Sequence, residues 1–154
     1  MSRGNVYVRA YGCQMNKLDA ELVLGELLRR GYGQTADLAE ADVILFLTCS
    51  VREHAEARVA SNLGKLKRLK RRKPGVVLGV LGCMAQKDRE AIFERLPHVD
   101  LVCGTRDFPR IAELVDAART ERHVLACGEA LGAPPSRFAP ARPSRFQAYV
   151  AVMR

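Results

Sequence analysis

Residues 42–53 read DVILFLTCSVRE, and the fold turns on how they are read. DVILFLT, residues 42–48, is a continuous apolar run without the alternation of a half-exposed strand, which suits a strand buried on both faces at the centre of a parallel sheet. Cys49 follows at once. Ser50 and Glu53 then form an S-x-x-E capping box, the signature of a helix start. Behind it Ala55, Val59, Leu63, Leu66 and Leu69 recur along one helical face until Pro74-Gly75 stops the pattern. The unit is a strand, a thiol at its end, and a helix.

The same unit recurs on either side. NVYVRAY, residues 5–11, reads as a strand with alternating Val6, Val8 and Ala10, and Gly12-Cys13 follows it. Helical periodicity then runs over 17–30, with Leu24, Leu27 and Leu28 on the apolar side, Asn16 and Asp19 as a capping box, and Gly31 as the stop. GVVLGVLG, residues 75–82, is a third buried strand, and Cys83 ends it. A short helix over 86–95, a strand over 99–104, a helix over 108–119 with Pro109 in its first turn, and a strand over 123–127 complete the series. This alternation predicts an α/β fold: a mainly parallel sheet of four to five strands flanked by helices, flavodoxin-like or Rossmann-like.

Residues 1–127 are expected to form this domain. Residues 128–146 carry four prolines and read as a linker, and QAYVAVMR, residues 147–154, starts a new strand. The chain has 154 residues, 48% of them hydrophobic and none of them tryptophan, so an aliphatic core is expected. The N-terminus lacks the apolar stretch of a signal peptide, and the longest apolar window, VVLGVLGCM, is too short for a bilayer. We expect a soluble, cytoplasmic monomer with no membrane partner. The five cysteines are widely spaced, and in a reducing compartment such thiols are metal ligands or core residues before they are disulfides.

In an open parallel sheet the carboxyl ends of the strands share one edge, and ligand crevices form outside it. Cys13, Cys49 and Cys83 all fall there, each leading into a helix whose N-terminus favours thiolate. Three convergent thiolates without a fourth partner describe an iron–sulfur cluster with one open iron, or a zinc site with an open position, as in a zinc-binding hydrolase-like domain. The plain alternative is that each cysteine is an ordinary core residue of a flavodoxin-like binding module. Cys103 and Cys127 are read that way, and His54, His98 and His123 as structural or surface residues. No P-loop and no G-x-G-x-x-G after the first strand is present, which removes the usual nucleotide sites.

The net charge is +8, and KLKRLKRRK, residues 65–73, holds seven basic residues in nine. Such a run is a solvated helix face or a contact for phosphate backbones. Without interleaved aromatics it does not read bases.

YGCQMNKLDAE, TCSVREHAE and GCMAQ together resemble the N-terminal domain of the methylthiotransferases, which are radical S-adenosylmethionine enzymes. The resemblance covers residues 4–120. Gln14-Met15-Asn16 and Ser50-Val51-Arg52-Glu53 resemble the tRNA-modifying MiaB-type branch more than the branch that modifies a ribosomal protein. The resemblance implies that Cys13, Cys49 and Cys83 hold an auxiliary [4Fe-4S] cluster. It further implies a transferase that methylthiolates C2 of an isopentenylated adenosine beside the tRNA anticodon, with another tRNA adenosine or a ribosomal protein as the alternative substrate. A second cluster and S-adenosylmethionine would be held on a C-x-x-x-C-x-x-C loop of a radical domain, of which residues 147–154 are expected to be the truncated first strand. That motif does not occur here, so these residues alone are expected to bind a cluster without catalysing. On this reading Lys65, Lys67, Arg68, Lys70, Arg71, Arg72 and Lys73 contact tRNA phosphates, and the sulfur donor is left open. The family usually has Asn before Thr-Cys in the second motif; here it is Leu47.

Overall fold

The computed structural model describes residues 3–11, 14–48 and 53–127. Cys13, Cys49, Ser50, the linker at 128–146 and the strand expected at 147–154 lie outside the described residues. Six strands form one all-parallel sheet: β1 (Asn5–Ala10), β2 (Gly33–Gln34), β3 (Val43–Thr48), β4 (Val77–Gly82), β5 (Leu101–Cys103) and β6 (Val124–Ala126). Their spatial order is β2-β1-β3-β4-β5-β6, the flavodoxin-like doubly wound order with one strand added. Helices α1 (Gln14–Arg29), α2 (Glu53–Arg72), α3 (Cys83–Asp88), α4 (Ala91–Arg95) and α5 (Ile111–Thr120) connect them, with a 3-10 turn over Thr105–Arg110 ahead of α5.

Helices on both faces explain the unbroken apolar runs. Along β3, Val43, Leu45 and Leu47 pack in the layer of α1 and α5, whereas Ile44 and Phe46 pack in that of α2, α3 and α4. β4 divides likewise, with Val77 and Leu81 on the first face and Leu78 and Val80 on the second. Period-2 alternation persists, but both phases are buried, so both are apolar. Each such Leu or Ile contributes about 1.5–3 kcal/mol on burial. Among the described residues no helix is long and apolar enough to cross a membrane.

Several local expectations need correction. β2 has two residues and no periodicity to betray it; it joins the sheet by pairing Asn5↔Gly33 and Val6↔Gln34. Asn16 and Asp19 do not cap α1, because that helix already starts at Gln14 and both residues are buried within it. Leu28 is 37% exposed, one 100° step off the face that buries Val23 and Leu27. The helix expected over 86–95 is two helices, because Arg89 takes a left-handed conformation (φ 47) and closes α3. Pro109 is not in the first turn of α5 but fifth in the six-residue 3-10 turn that precedes it.

The basic run is also partly committed. Lys70 donates from Nζ to the Val76 carbonyl and to Asp100 Oδ2, both at 2.5 Å. Asp100 Oδ2 also accepts the Leu78 N–H at 3.0 Å. Lys73 donates to the Ala41 carbonyl (2.9 Å) and pairs with Asp42 Oδ1 (2.8 Å), a bond that holds the Asp42 carboxyl below its ordinary range. Lys70 and Lys73 therefore staple the end of α2 to the amino edge of the sheet. They are not available as the phosphate contacts expected of them.

Gly64 sits exposed inside α2, with no heavy atom within 4 Å of the place its Cβ would occupy. Glycine there costs helix stability and occupies no tight space. Gly64→Ala should raise the unfolding free energy by about 0.5–1 kcal/mol in a urea titration.

Candidate metal centre at the carboxyl edge

β1, β3 and β4 are consecutive in the sheet. Ala10, at the end of β1, pairs with Leu47, and Thr48, at the end of β3, pairs with Gly82 at the end of β4. Each pair step in a sheet is about 4.8 Å. The strand order reverses between β1 and β3, and this switch point is where open α/β sheets leave a crevice. Helices α1, α2 and α3 all start at this edge.

The first strand end is held on both sides of the Gly12-Cys13 junction. Asn16, two residues into α1, donates from Nδ2 to the Tyr11 carbonyl at 2.7 Å, while the Tyr11 N–H donates to the Leu47 carbonyl at 2.8 Å. The Tyr11 hydroxyl accepts from Asn62 Nδ2 of α2 at 2.8 Å, and its ring meets Phe46 edge-on at 5.4 Å. Asn16, expected as a cap, instead ties down the strand end together with Tyr11 and Asn62. The visible signal was the presence of Tyr11 and Asn16 in the same short motif as Cys13.

Cys83 is the one predicted ligand among the described residues. It is exposed, and it opens α3 directly after Gly82. Gly82 has φ 103 and ψ −154, and a Cβ on it would stand 2.7 Å from the Thr48 carbonyl oxygen. The chain thus turns sharply off β4 against the end of β3. Thr48 is itself buried and donates from Oγ1 to the Leu81 carbonyl at 3.1 Å, closing the two strand ends together.

The far side of α3 is fastened to β6. Gln86 Nε2 (3.4 Å) and Arg89 Nη2 (2.6 Å) both donate to the Cys127 carbonyl, and the Cys127 thiol donates to the Ala85 carbonyl at 3.3 Å. Gly104 makes room for Gln86, whose Oε1 would collide with any Cβ placed there. That buried Oε1 has no hydrogen-bond partner among the described residues.

The remaining cysteines differ in kind from Cys83. Cys103 is fully buried in the core, and burial pushes its thiol well above the ordinary value. Burial also raises Cys127. A thiol kept protonated in an apolar layer is a poor metal ligand. His98 donates to the Leu63 carbonyl (2.6 Å), and His123 lies against Phe93 with ring centroids 4.5 Å apart, so both are structural. The His54 side chain lies outside the described residues. Leu47 is buried among aliphatic neighbours and offers no polar group to the edge. Among the described residues no three His, Cys, Asp or Glu side chains gather. At the opposite, amino edge a shallow cleft is lined by Arg3, Tyr32, Asp116 and Arg119. Its groups satisfy one another: Asp116 accepts from Arg3 (2.8 Å) and from the Tyr32 hydroxyl (2.7 Å), and Arg119 donates to the Arg3 carbonyl (2.9 Å).

These features define a doubly wound parallel α/β protein whose strands β1, β3 and β4 are each followed in sequence by a cysteine. The chain belongs to the UPF0004 family: residues 5–104 match the family described as "Uncharacterized protein family UPF0004", the MiaB N-terminal domain. It is 40% identical over 161 residues to the tRNA-2-methylthio-N(6)-dimethylallyladenosine synthase of Rhodopirellula baltica, covering 96% of this chain and 34% of that protein. The enzyme of the same name from Dictyoglomus thermophilum is 38% identical over 148 residues, with 96% and 34% covered. That from Akkermansia muciniphila is 45% identical over 122 residues, with 77% and 27% covered. The chain spans about a third of the length of the first two relatives.

Proposed function

We propose that this chain is the auxiliary-cluster domain of a cytoplasmic tRNA methylthiotransferase acting at C2 of N6-isopentenyladenosine beside the anticodon. Cys13, Cys49 and Cys83 hold a [4Fe-4S] cluster. The observation that carries the reading is that the strands preceding these three cysteines are adjacent, with Thr48 and Gly82 in register immediately before Cys49 and Cys83. The donor chemistry fits the group. Soft thiolates suit iron–sulfur centres, and the starts of α1 and α2 favour the ionised thiol. Cys83 is exposed at this edge, whereas Cys103 and Cys127 are withdrawn into the core.

When bound, such a cluster supplies one iron without a protein ligand, where an exogenous sulfur is held for transfer. The chain's own residues do the positioning. Gly82 turns Cys83 off β4, Gln86 and Arg89 brace its helix against β6, and Asn16 with Tyr11 holds the strand end before Cys13. The printed names of the relatives support tRNA as the substrate. The radical step needs a second cluster and S-adenosylmethionine on a C-x-x-x-C-x-x-C loop, a motif not found in these 154 residues. The chain by itself therefore binds the cluster and does not catalyse.

Anaerobic reconstitution with ferrous iron and sulfide tests this. About four irons per chain, with the Mössbauer signature of a [4Fe-4S] centre, are expected. Stoichiometric zinc without iron, or no bound metal, would overturn it.

A further inference from the structure

Two of the seven cations at 65–73 are consumed by the fold, and the fate of the other five is more informative. Lys65, Lys67, Arg68, Arg71 and Arg72 are all exposed, as is Arg58 earlier on the same helix. None of these six enters an ion pair among the described residues, whereas Lys70 and Lys73 do. At 100° per residue, Arg58, Lys65, Arg68 and Arg72 fall within about 80° of one another, a single stripe roughly 21 Å long. Arg71 flanks it, whereas Lys67 lies on the far side of the helix, next to the face that buries Leu63. The side chains between are small: Ala57, Ser61 and Gly64 are exposed along the same face.

The helix dipole does not account for this stripe. It favours cations only in the last turn, which covers Lys70, Arg71 and Arg72. Arg58, Lys65, Lys67 and Arg68 lie too far back, and their mutual repulsion calls for a polyanion. The stripe's chemistry narrows the choice. It carries no aromatic residue, so bases have nothing to stack on. It carries no apolar wedge for a lipid surface, since Val59, Leu63 and Leu66 face the core. It has no apolar anchor for a protein interface either, Leu28 of α1 being the exposed large hydrophobic residue among those described. A row of fixed positive charge with a low profile fits the backbone of a duplex, which in RNA is recognised by shape and phosphate rather than sequence.

We infer that the exposed stripe Arg58–Lys65–Arg68–Arg72, flanked by Arg71, docks the phosphate backbone of an RNA stem without reading its sequence. The inference rests on the reading that the chain serves an RNA-modifying enzyme, and it adds where and how the RNA is gripped. The helix start lies at the cysteine edge, and Lys65 stands about 18 Å along the axis from Glu53. The stem is therefore held along α2 while the unpaired nucleotides reach the carboxyl edge.

The test is fluorescence anisotropy of the 154-residue chain with a labelled RNA hairpin, an unpaired RNA of equal length, and vesicles containing phosphatidylserine. Arg68→Gln/Arg72→Gln is compared with Arg106→Gln/Arg122→Gln, two exposed arginines off α2. Glutamine keeps the helix, and circular dichroism checks the fold. The stripe variant should bind the hairpin at least about tenfold more weakly, and its log affinity against log salt should flatten by about two. The control variant should match the parent chain. Equal weakening in both variants, equal binding of unpaired RNA, binding to vesicles alone, or no RNA binding by the parent chain would each overturn the inference. Iron loading is measured on the same samples. Stripe failure with normal iron sinks the docking surface alone, and absent iron with the expected RNA result sinks the cluster reading alone.

Discussion

Gly82→Ala will destabilise the domain by about 3 kcal/mol and sharply reduce its iron loading. At φ 103 and ψ −154, Gly82 occupies a region that L residues essentially never adopt. Forcing alanine into it costs about 1–3 kcal/mol in strain. The added Cβ also has no free direction. It meets the Thr48 carbonyl oxygen at 2.7 Å and the Thr48 nitrogen at 3.3 Å, both backbone atoms of the neighbouring strand. Relief requires β3 and β4 to part at the register Thr48↔Gly82, which precedes two of the proposed ligands. Urea unfolding gives the stability and reconstitution gives the iron. Gly64→Ala, expected to change stability in the opposite direction, controls for glycine replacement as such. A Gly82→Ala chain with parental stability and full iron would show that the turn into Cys83 does not depend on this conformation.

The second large effect is a contrast among cysteines. Cys13→Ala, Cys49→Ala and Cys83→Ala should each abolish iron binding after reconstitution, since two thiolates do not retain a cubane open at two irons. Cys103→Ala and Cys127→Ala should retain it. Cys103 is enclosed in the layer of α1 and α5, where burial holds its thiol protonated. Its truncation leaves a small cavity, costing on the order of 1 kcal/mol of stability. Iron lost from Cys103→Ala but kept in Cys83→Ala would reverse the assignment.

Much of the architecture was legible because local patterns report local environments. The runs at 42–48 and 75–82 are apolar in both phases because both sheet faces are covered, and that alone marks central parallel strands. The elements missed are those whose role depends on a distant partner. Gly33–Gln34 becomes a strand only because Asn5 and Val6 are beside it. Asn16 looks like a cap until Tyr11 presents its carbonyl. Lys70 and Lys73 look like solvent-facing charge until Asp100 and Asp42 meet them from the amino edge. The placing of Cys13 after a strand and before a helix was plain from residues 5–30, whereas the fastening of that junction by Asn62, 51 positions from Tyr11, was not.

By itself the sequence determined that this is a parallel α/β chain, that three thiols follow three of its strands, and that one helix carries a dense positive charge. Those properties reside in the spacing of side chains along single segments, and burial periodicity writes them there. Only the tertiary structure decided that β1, β3 and β4 are neighbours, which cations remain exposed, and which thiols are withdrawn. Strand edges present the same N–H and C=O groups whatever their side chains, so partners are chosen by packing across the whole domain and not by any one stretch of residues.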